Sequence, residues 1–504
     1  MTRPNHLADA LRAAARGRDD APFATDAATG AVTTYGALWE MAARTAQALV
    51  GLGVVPGDRV AVQIEKSVEG IALYLGTVMA GAVHLPLNTG YTPQEVSYFL
   101  TDAQPRVFVC DPAKAAALGP VACAAGTTHL LTLDAFGAGT LAYLTGQAAP
   151  LANPVPRGAG DLAAILYTSG TTGRSKGAML THDNLTSNAQ ALVALWQFTR
   201  DDVLIHALPV FHTHGLFVAL NVTFLAGGQI ILHRAFDPAA VLADFARATT
   251  LMGVPTFYTR LLAEPGLTAQ ATRGMRLFIS GSAPMLTETH LAWQDRTGHT
   301  VLERYGMTET NMNTSNPYDG QRKPGTVGLP LPGVALRIVD DAGAPKATGE
   351  IGGIEVRGPN VFAGYWNMPD KTAEDLRPDG WFRTGDLGQQ DDEGYVTIIG
   401  RSKDLVISGG YNIYPKEVET LIDAMPGVVE SAVFGVPDPD LGEVAAVAIV
   451  PAPGASPDLA AVRGALEGAL ARFKHPRQVH LMEALPRNTM GKVQKAELRA
   501  RFAG

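Results

Sequence analysis

Residues 166–177 read Leu-Tyr-Thr-Ser-Gly-Thr-Thr-Gly-Arg-Ser-Lys-Gly. Three glycines and five Ser/Thr hydroxyls in one loop can aim backbone N–H and side-chain O–H groups at phosphate oxygens, and Arg174 and Lys176 add positive charge. It is not a Walker A loop, because Lys176 is followed by Gly177 rather than by Ser or Thr. Further along stand Tyr305-Gly306-Met307-Thr308-Glu309, Thr384-Gly385-Asp386, Gly400-Arg401 continuing to Gly409-Gly410-Tyr411-Asn412, and Pro486-Arg487-Asn488-Thr489-Met490-Gly491-Lys492. Glu309 offers the hard oxygen that Mg²⁺ prefers. Thr308 can bond a phosphate oxygen, and Asp386 can accept from two vicinal hydroxyls.

These five segments, in this order, resemble the signatures of the adenylate-forming superfamily of acyl-CoA synthetases, peptide-synthetase adenylation domains and beetle luciferases. The resemblance implies a substrate carboxylate attacking the α-phosphate of ATP, then transfer of the acyl group to a thiol. Such chemistry is mainly positioning and charge stabilisation. By the same resemblance, Thr168, Ser169, Gly170, Thr171, Thr172, Gly173 and Lys176 meet the phosphates, and Tyr305 and Gly306 the adenine. Glu309 holds Mg²⁺ beside Thr308, Asp386 and Arg401 take the ribose, and Lys492 contacts the α-phosphate and carboxylate together. Lys403 falls where the family hinges, and Gly409 and Gly410 would line the coenzyme A tunnel, where absent side chains permit close approach. The implied co-substrates and cofactor are ATP, coenzyme A and Mg²⁺. Acetylation of Lys492 by a lysine acetyltransferase, reversed by a deacetylase, would remove the charge the chemistry needs.

The implied acyl pocket lies between Ile279-Ser280-Gly281-Ser282-Ala283-Pro284 and the strand leading into Tyr305, bordered by His212 and Met307. Arg304 departs from the small or neutral residue usual there, and the polar run Asn311–Asn316 follows. A buried guanidinium is costly unless paired, and its fork suits a carboxylate. The substrate would then carry a second carboxylate. Alternatively, Arg304 pairs with Glu303 or a nearby acid and serves structure alone. The stretch Glu303–Asn313, and the chain from about Pro22 to Phe502, resembles malonyl-CoA synthetases, which implies malonate, ATP and coenzyme A going to malonyl-CoA, AMP and pyrophosphate. A ligase for another short or aromatic acid, or an adenylation enzyme loading a separate carrier protein, are the rivals.

Strand-like runs at Arg59–Ile64, Leu162–Tyr167, Val203–Leu208, Gln229–Leu232, Met275–Ile279 and Thr300–Leu302 alternate with helical stretches such as Ala42–Leu52 and Pro238–Ala248. That alternation predicts βαβ units and parallel sheets. Val334–Val356 reads as an antiparallel β subdomain. After Lys403 a small α+β pattern follows: helices at Pro415–Ala424 and Asp458–Phe473, strands at Ser431–Val436, Val444–Val450 and Gln478–Met482. The expected plan is an α/β fold with a large domain over 1–402 and a small mobile domain over 403–504. Gly137–Ala142 imitates a dinucleotide fingerprint but reads as a loop, and His212-Thr213-His214 has no third metal ligand beside it.

At 504 residues the chain needs more than one core. Forty Lys and Arg against 48 Asp and Glu, with no basic cluster, exclude a nucleic-acid footprint. No apolar run approaches the roughly 20 residues of a membrane span, and the start lacks a secretory h-region. Cys110 and Cys123 read as unpaired small hydrophobes. The cytoplasm is the expected compartment.

Overall fold

The computed structural model describes residues 4–168, 175–408, 411–439, 441–467, 469–488 and 491–502. The chain divides into two compact units. One comprises Met1–Gly325, Pro330–Ala335 and Arg357–Gly380; the other comprises Thr326–Leu329, Leu336–Val356 and Trp381–Gly504.

The first unit holds two large sheets. One runs His129–Thr132, Val107–Cys110, Arg59–Gln63, Val83–Pro86, Leu162–Thr168, Lys176–Thr181, parallel except for the last pair. The other runs Asn311–Ser315, Leu302–Met307, Leu277–Ser280, Thr250–Gly253, Val203–His206, Gln229–Leu232, Pro22–Asp26, Val32–Thr34, antiparallel only at its two ends. Inner strands such as Val107–Cys110 and Val83–Pro86 are buried at every position, as expected where helices cover both faces. Caps fix the helix starts. Thr92 and Glu95 cap each other reciprocally before Pro93–Ala103, and Thr181 does so with Asn184 before His182–Leu195.

In the second unit, Gly352–Arg357, Phe382–Gln390 and Val396–Arg401 pair antiparallel. A separate sheet orders Tyr411–Ile413, Val406–Ser408, Gly442–Pro451 and Val428–Asp438, with Gln478–Leu481 parallel to Gly442–Pro451. Its alternate residues feed two cores. Val433, Ala445, Val447 and Ile449 meet Val418, Ile422 and Val462. Phe434, Val436, Ala446 and Ala448 meet Leu485 and Leu498. Coverage of both faces explains why Val444–Val450 is apolar throughout.

Several expectations shift. Order begins before Pro22, because helix His6–Ala13, capped by Asn5, buries Leu7, Ala8 and Leu11. The Gly137–Ala142 stretch is a loop only as far as Gly139; Thr140–Gln147 is helical and follows His129–Thr132, an edge strand. Helix Leu459–Leu466 stops short of Phe473, in a stretch where Gly464 weakens the helix. The strand expected at Thr300–Leu302 runs instead over Leu302–Met307, into the Tyr305 motif. Cys110 is buried, Cys123 is exposed and both are free. Among the described residues no helix is long and apolar enough to cross a membrane.

Candidate active site

The strands Leu277–Ser280 and Leu302–Met307 run parallel, with Ser280 opposite Glu303. Successive side chains leave a strand on opposite faces. Glu303 accordingly meets His290 Nδ1 at 2.9 Å and accepts from the Gly325 N–H at 3.3 Å. Arg304 turns the other way, so the Glu303–Arg304 pair that the sequence left open does not form. Arg304 is 3% exposed. Its Nε and Nη2 find no hydrogen-bond partner among the described residues. Burial pushes its pKa down to about 9, which leaves it charged at neutral pH.

Around Arg304 stand further polar groups. Gly281 lies so close that a Cβ there would be 2.5 Å from Arg304 Cζ. His214 is buried, its Nδ1 3.2 Å from Ser282 Oγ, and its Nε2 has no partner among the described residues. Burial, then the Arg304 charge, hold its pKa well below the ordinary value, so the ring is neutral. Ser282 takes a left-handed φ of 72°. The buried Ser280 Oγ is likewise without a partner. Tyr258 donates to the Ile279 carbonyl at 2.7 Å. His212 and Met307 are half-buried, and their carbonyls accept from Leu216 and Thr310. Lys66, buried, donates to the carbonyls of His206 and Leu208 at 3.0 and 2.9 Å, just before the His212-Thr213-His214 segment. Burial pushes its pKa down to about 7.

On the nucleotide side, the two ends of the phosphate-loop motif, Thr168 and Lys176, both belong to strands. Strand Lys176–Thr181 returns antiparallel to Leu162–Thr168, with Thr168 opposite Lys176. Ser169, Gly170, Thr171, Thr172, Gly173 and Arg174 lie outside the described residues. Lys176 Nζ sits 3.7 Å from Asp375 Oδ2 and 4.2 Å from the ring centre of Tyr365. The Tyr365 hydroxyl donates to Glu309 Oε1 at 3.0 Å, and the Glu309 carbonyl accepts from the Phe362 N–H at 2.8 Å. Tyr305 pairs with Thr314 across the strands, and Thr308 occupies the connecting turn. Gly306 is obligatory, since a Cβ there would land on the Asn311 carbonyl. Much of the Asn311–Asn316 polar run is engaged internally: Ser315 Oγ accepts from Trp196 Nε1, Asn316 donates to the Glu303 carbonyl, and Asn313 Oδ1 accepts from Asn360.

In the second unit Asp386, buried, lies 3.1 Å from Arg401 Nε, and the two residues are register partners across the strands. Lys403 lies in the short helix Ser402–Asp404, its carbonyl accepting from Arg499 Nη2 at 3.4 Å. Burial first, then Arg401, push its pKa down to about 8. Gly409 and Gly410 lie outside the described residues. The Lys492 N–H donates to Asn488 Oδ1 and its carbonyl accepts from the Asn488 N–H, both at 3.0 Å.

Sequence reasoning missed His214, Tyr258, Lys66 and Tyr365. His214 stood in plain view but was weighed only as half of a metal pair. Nothing in the local pattern singles out the other three.

Residues 11–366 match the model of the AMP-binding enzyme family, and residues 417–492 that of the AMP-binding enzyme C-terminal domain. The chain belongs to the AMP-binding enzyme family. Among solved structures it is similar to ATP-bound MatB from Rhodopseudomonas palustris, with 56% identity, 99% of each chain covered and a TM-score of 0.96. It is 38% identical to a feruloyl-CoA synthase from an Amycolatopsis species, over 94% of each chain. It is 34% identical to a mitochondrial malonate–CoA ligase of Homo sapiens, over 93% of this chain and 88% of that one.

Proposed function

We propose that this AMP-forming acid–CoA ligase takes malonate and converts it, with ATP and coenzyme A, to malonyl-CoA, AMP and pyrophosphate. The Arg304 guanidinium carries the reading: it is buried and keeps two donors without partners among the described residues. Such a group is costly to leave unpaired. A carboxylate would accept from the fork at two oxygens. Ser280 Oγ and His214 Nε2, also open, are further donors or acceptors for the same ligand. The likeness to the human malonate–CoA ligase agrees. The likeness to a feruloyl-CoA synthase points to an aromatic acid instead, but an aromatic ring brings no second carboxylate for Arg304.

In the first half-reaction a malonate oxygen bonds to the α-phosphorus while the bond to the bridging oxygen breaks and pyrophosphate leaves. In the second, the thiol sulfur bonds to the acyl carbon and AMP leaves with the electron pair. Lys492 would stabilise the charge spread over the α-phosphate oxygens during the first. Asp386, oriented by Arg401, would accept from the ribose hydroxyls. Glu309 suits Mg²⁺, being a hard carboxylate donor fixed at side chain and backbone by Tyr365 and Phe362. When bound, the metal supplies positive charge at the phosphate oxygens. Lys403 would be the hinge between half-reactions, and Gly409 and Gly410 would line the thiol route.

The test is pyrophosphate release with ATP, Mg²⁺ and a panel of mono- and dicarboxylic acids, with and without coenzyme A. Malonate should give the highest kcat/KM. A higher value with butyrate, benzoate or ferulate would overturn the assignment.

A further inference from the structure

Residues 359–375 tie together the two parts of the first unit that carry nucleotide-site motifs. The Trp366 N–H donates to the Gly177 carbonyl at 2.7 Å, and Tyr365 forms an antiparallel bridge with Ala178. From the same stretch, the Phe362 N–H reaches the Glu309 carbonyl at 2.8 Å, and Asn360 Nδ2 reaches the carbonyls of Thr310 and Met312 at 2.8 and 3.0 Å. Tyr365 stands where these ties converge. Its ring meets Phe362 edge-on, with centres 4.8 Å apart, and carries the Lys176 ammonium 4.2 Å from its centre. Its hydroxyl donates its one proton to Glu309 at 3.0 Å, and its ring carries the same ammonium that pairs with the Asp375 carboxylate.

We propose that Tyr365 is a positioning residue for the nucleotide: its ring seats Lys176 and its hydroxyl fixes the Glu309 carboxylate, holding cation and metal-binding oxygen ready for the triphosphate. Lysine and glutamate side chains lose much rotamer freedom when they dock, and ordering them beforehand spares the ligand that cost. The ring can stabilise the ammonium through its face without neutralising it. The two functions are separable, since phenylalanine keeps the ring and removes the hydroxyl.

The inference rests on the reading that Glu309 and Lys176 serve the triphosphate and its metal, and one experiment separates the two. The full chain is titrated with a β,γ-imido analogue of ATP by calorimetry, without metal, and with Mn²⁺ in the presence of the analogue by electron paramagnetic resonance. If Glu309→Gln leaves Mn²⁺ binding unchanged, the site reading itself fails, and Tyr365 with it. Where Glu309→Gln does weaken Mn²⁺, Tyr365→Phe should weaken it about 10-fold, the loss expected for a hydrogen bond to a charged group. Metal-free analogue binding should then stay within about twofold of wild type, because the ring under Lys176 remains. Tyr365→Leu should also weaken the metal-free analogue, by about threefold or more. In the Glu309→Gln background Tyr365→Phe should add nothing, since the hydroxyl acts through that carboxylate. Wild-type Mn²⁺ affinity in Tyr365→Phe, or an undiminished loss in the Glu309→Gln background, would overturn the proposal.

Discussion

The Arg304 guanidinium is packed against the bare Cα of Gly281, where a single added methyl would sit 2.5 Å from Cζ. The clash is with the far end of a long side chain, not with backbone. Gly281→Ala should therefore move the guanidinium rather than disturb the strand. We expect an unchanged melting temperature within about 2 °C, and a fall of about 10-fold or more in kcat/KM for malonate. A large drop in melting temperature would mean that Gly281 serves packing instead.

Arg304→Ala tests the same contact directly. A hydrogen bond to a charged group is worth about 1.5–3 kcal/mol, and leaving a buried carboxylate unpaired costs more. Malonate should lose roughly 100-fold in kcat/KM, while butyrate loses far less, since it presents no second charge. Arg304→Lys should rescue poorly, because a point charge does not reproduce the fork. The measurement is kcat/KM for both acids at saturating ATP and coenzyme A. An equal fall for both would make Arg304 a support of the fold.

What the sequence made legible here is what repeats locally. The parallel sheets followed from strand and helix alternation, and Arg304 was noticeable because it interrupts a motif. The cradle around it was legible only in part: the Ser280–Ser282 segment came with the family resemblance, whereas His214 and Tyr258 stand on separate segments that only the fold brings together. Lys66 is a lone lysine in the sequence, and the carbonyls that hold it, those of His206 and Leu208, lie 140 and 142 residues further on. Tyr365 stood in the run Gly364-Tyr365-Trp366, which advertises packing. Its link to Glu309 spans 56 residues and depends on a strap folding back. The polar run after Glu309 misled in the opposite sense, since Ser315 and Asn316 stitch the strand into its surroundings.

Lys492→Ala should abolish adenylate formation while leaving thioester formation from supplied malonyl-adenylate within about threefold of wild type. The charge is needed only while negative charge builds on the α-phosphate. Single-turnover assays of each half-reaction decide the matter. An equal loss in both would sink the idea that the lysine serves one step only.

Lys403→Pro addresses the hinge. Proline fixes φ near −65° and so blocks rotation about that backbone bond. Adenylation should survive and transfer to coenzyme A should fall at least about 10-fold. A control is Lys403→Ala, which keeps the rotation and should leave both steps near wild type. Wild-type rates for both steps in the proline variant would place the hinge elsewhere.

Stability should vary with pH in a way that Lys66 dominates on the alkaline side. Its pKa is about 7 in the folded chain against 10.5 ordinarily, the cause being burial. Between those values the unfolded chain holds the extra proton, so stability rises with pH across that interval. Below pH 7 the ammonium is charged in both states and the burial penalty is fully felt. On the acid side, burial lowers His84 and His206 to about 3. The unfolded chain therefore protonates first as pH falls below about 6.5, and stability drops steadily toward pH 3. Above about pH 10 the sign reverses, because burial raises the Tyr74 pKa and the unfolded chain ionises first. Urea midpoints should thus climb from pH 4 to 6.5, and again from 7.5 to 9.5, in the wild-type chain. Lys66→Met should make the second rise shallower, leaving the shares of Lys403 and Arg304, whose pKa values burial lowers to about 8 and 9, and should spare the first. Its absolute stability is a separate matter, since the change also strips the carbonyls of His206 and Leu208 of a donor, at about 1–3 kcal/mol each. A second rise of undiminished slope in Lys66→Met would mean that another group carries the alkaline titration.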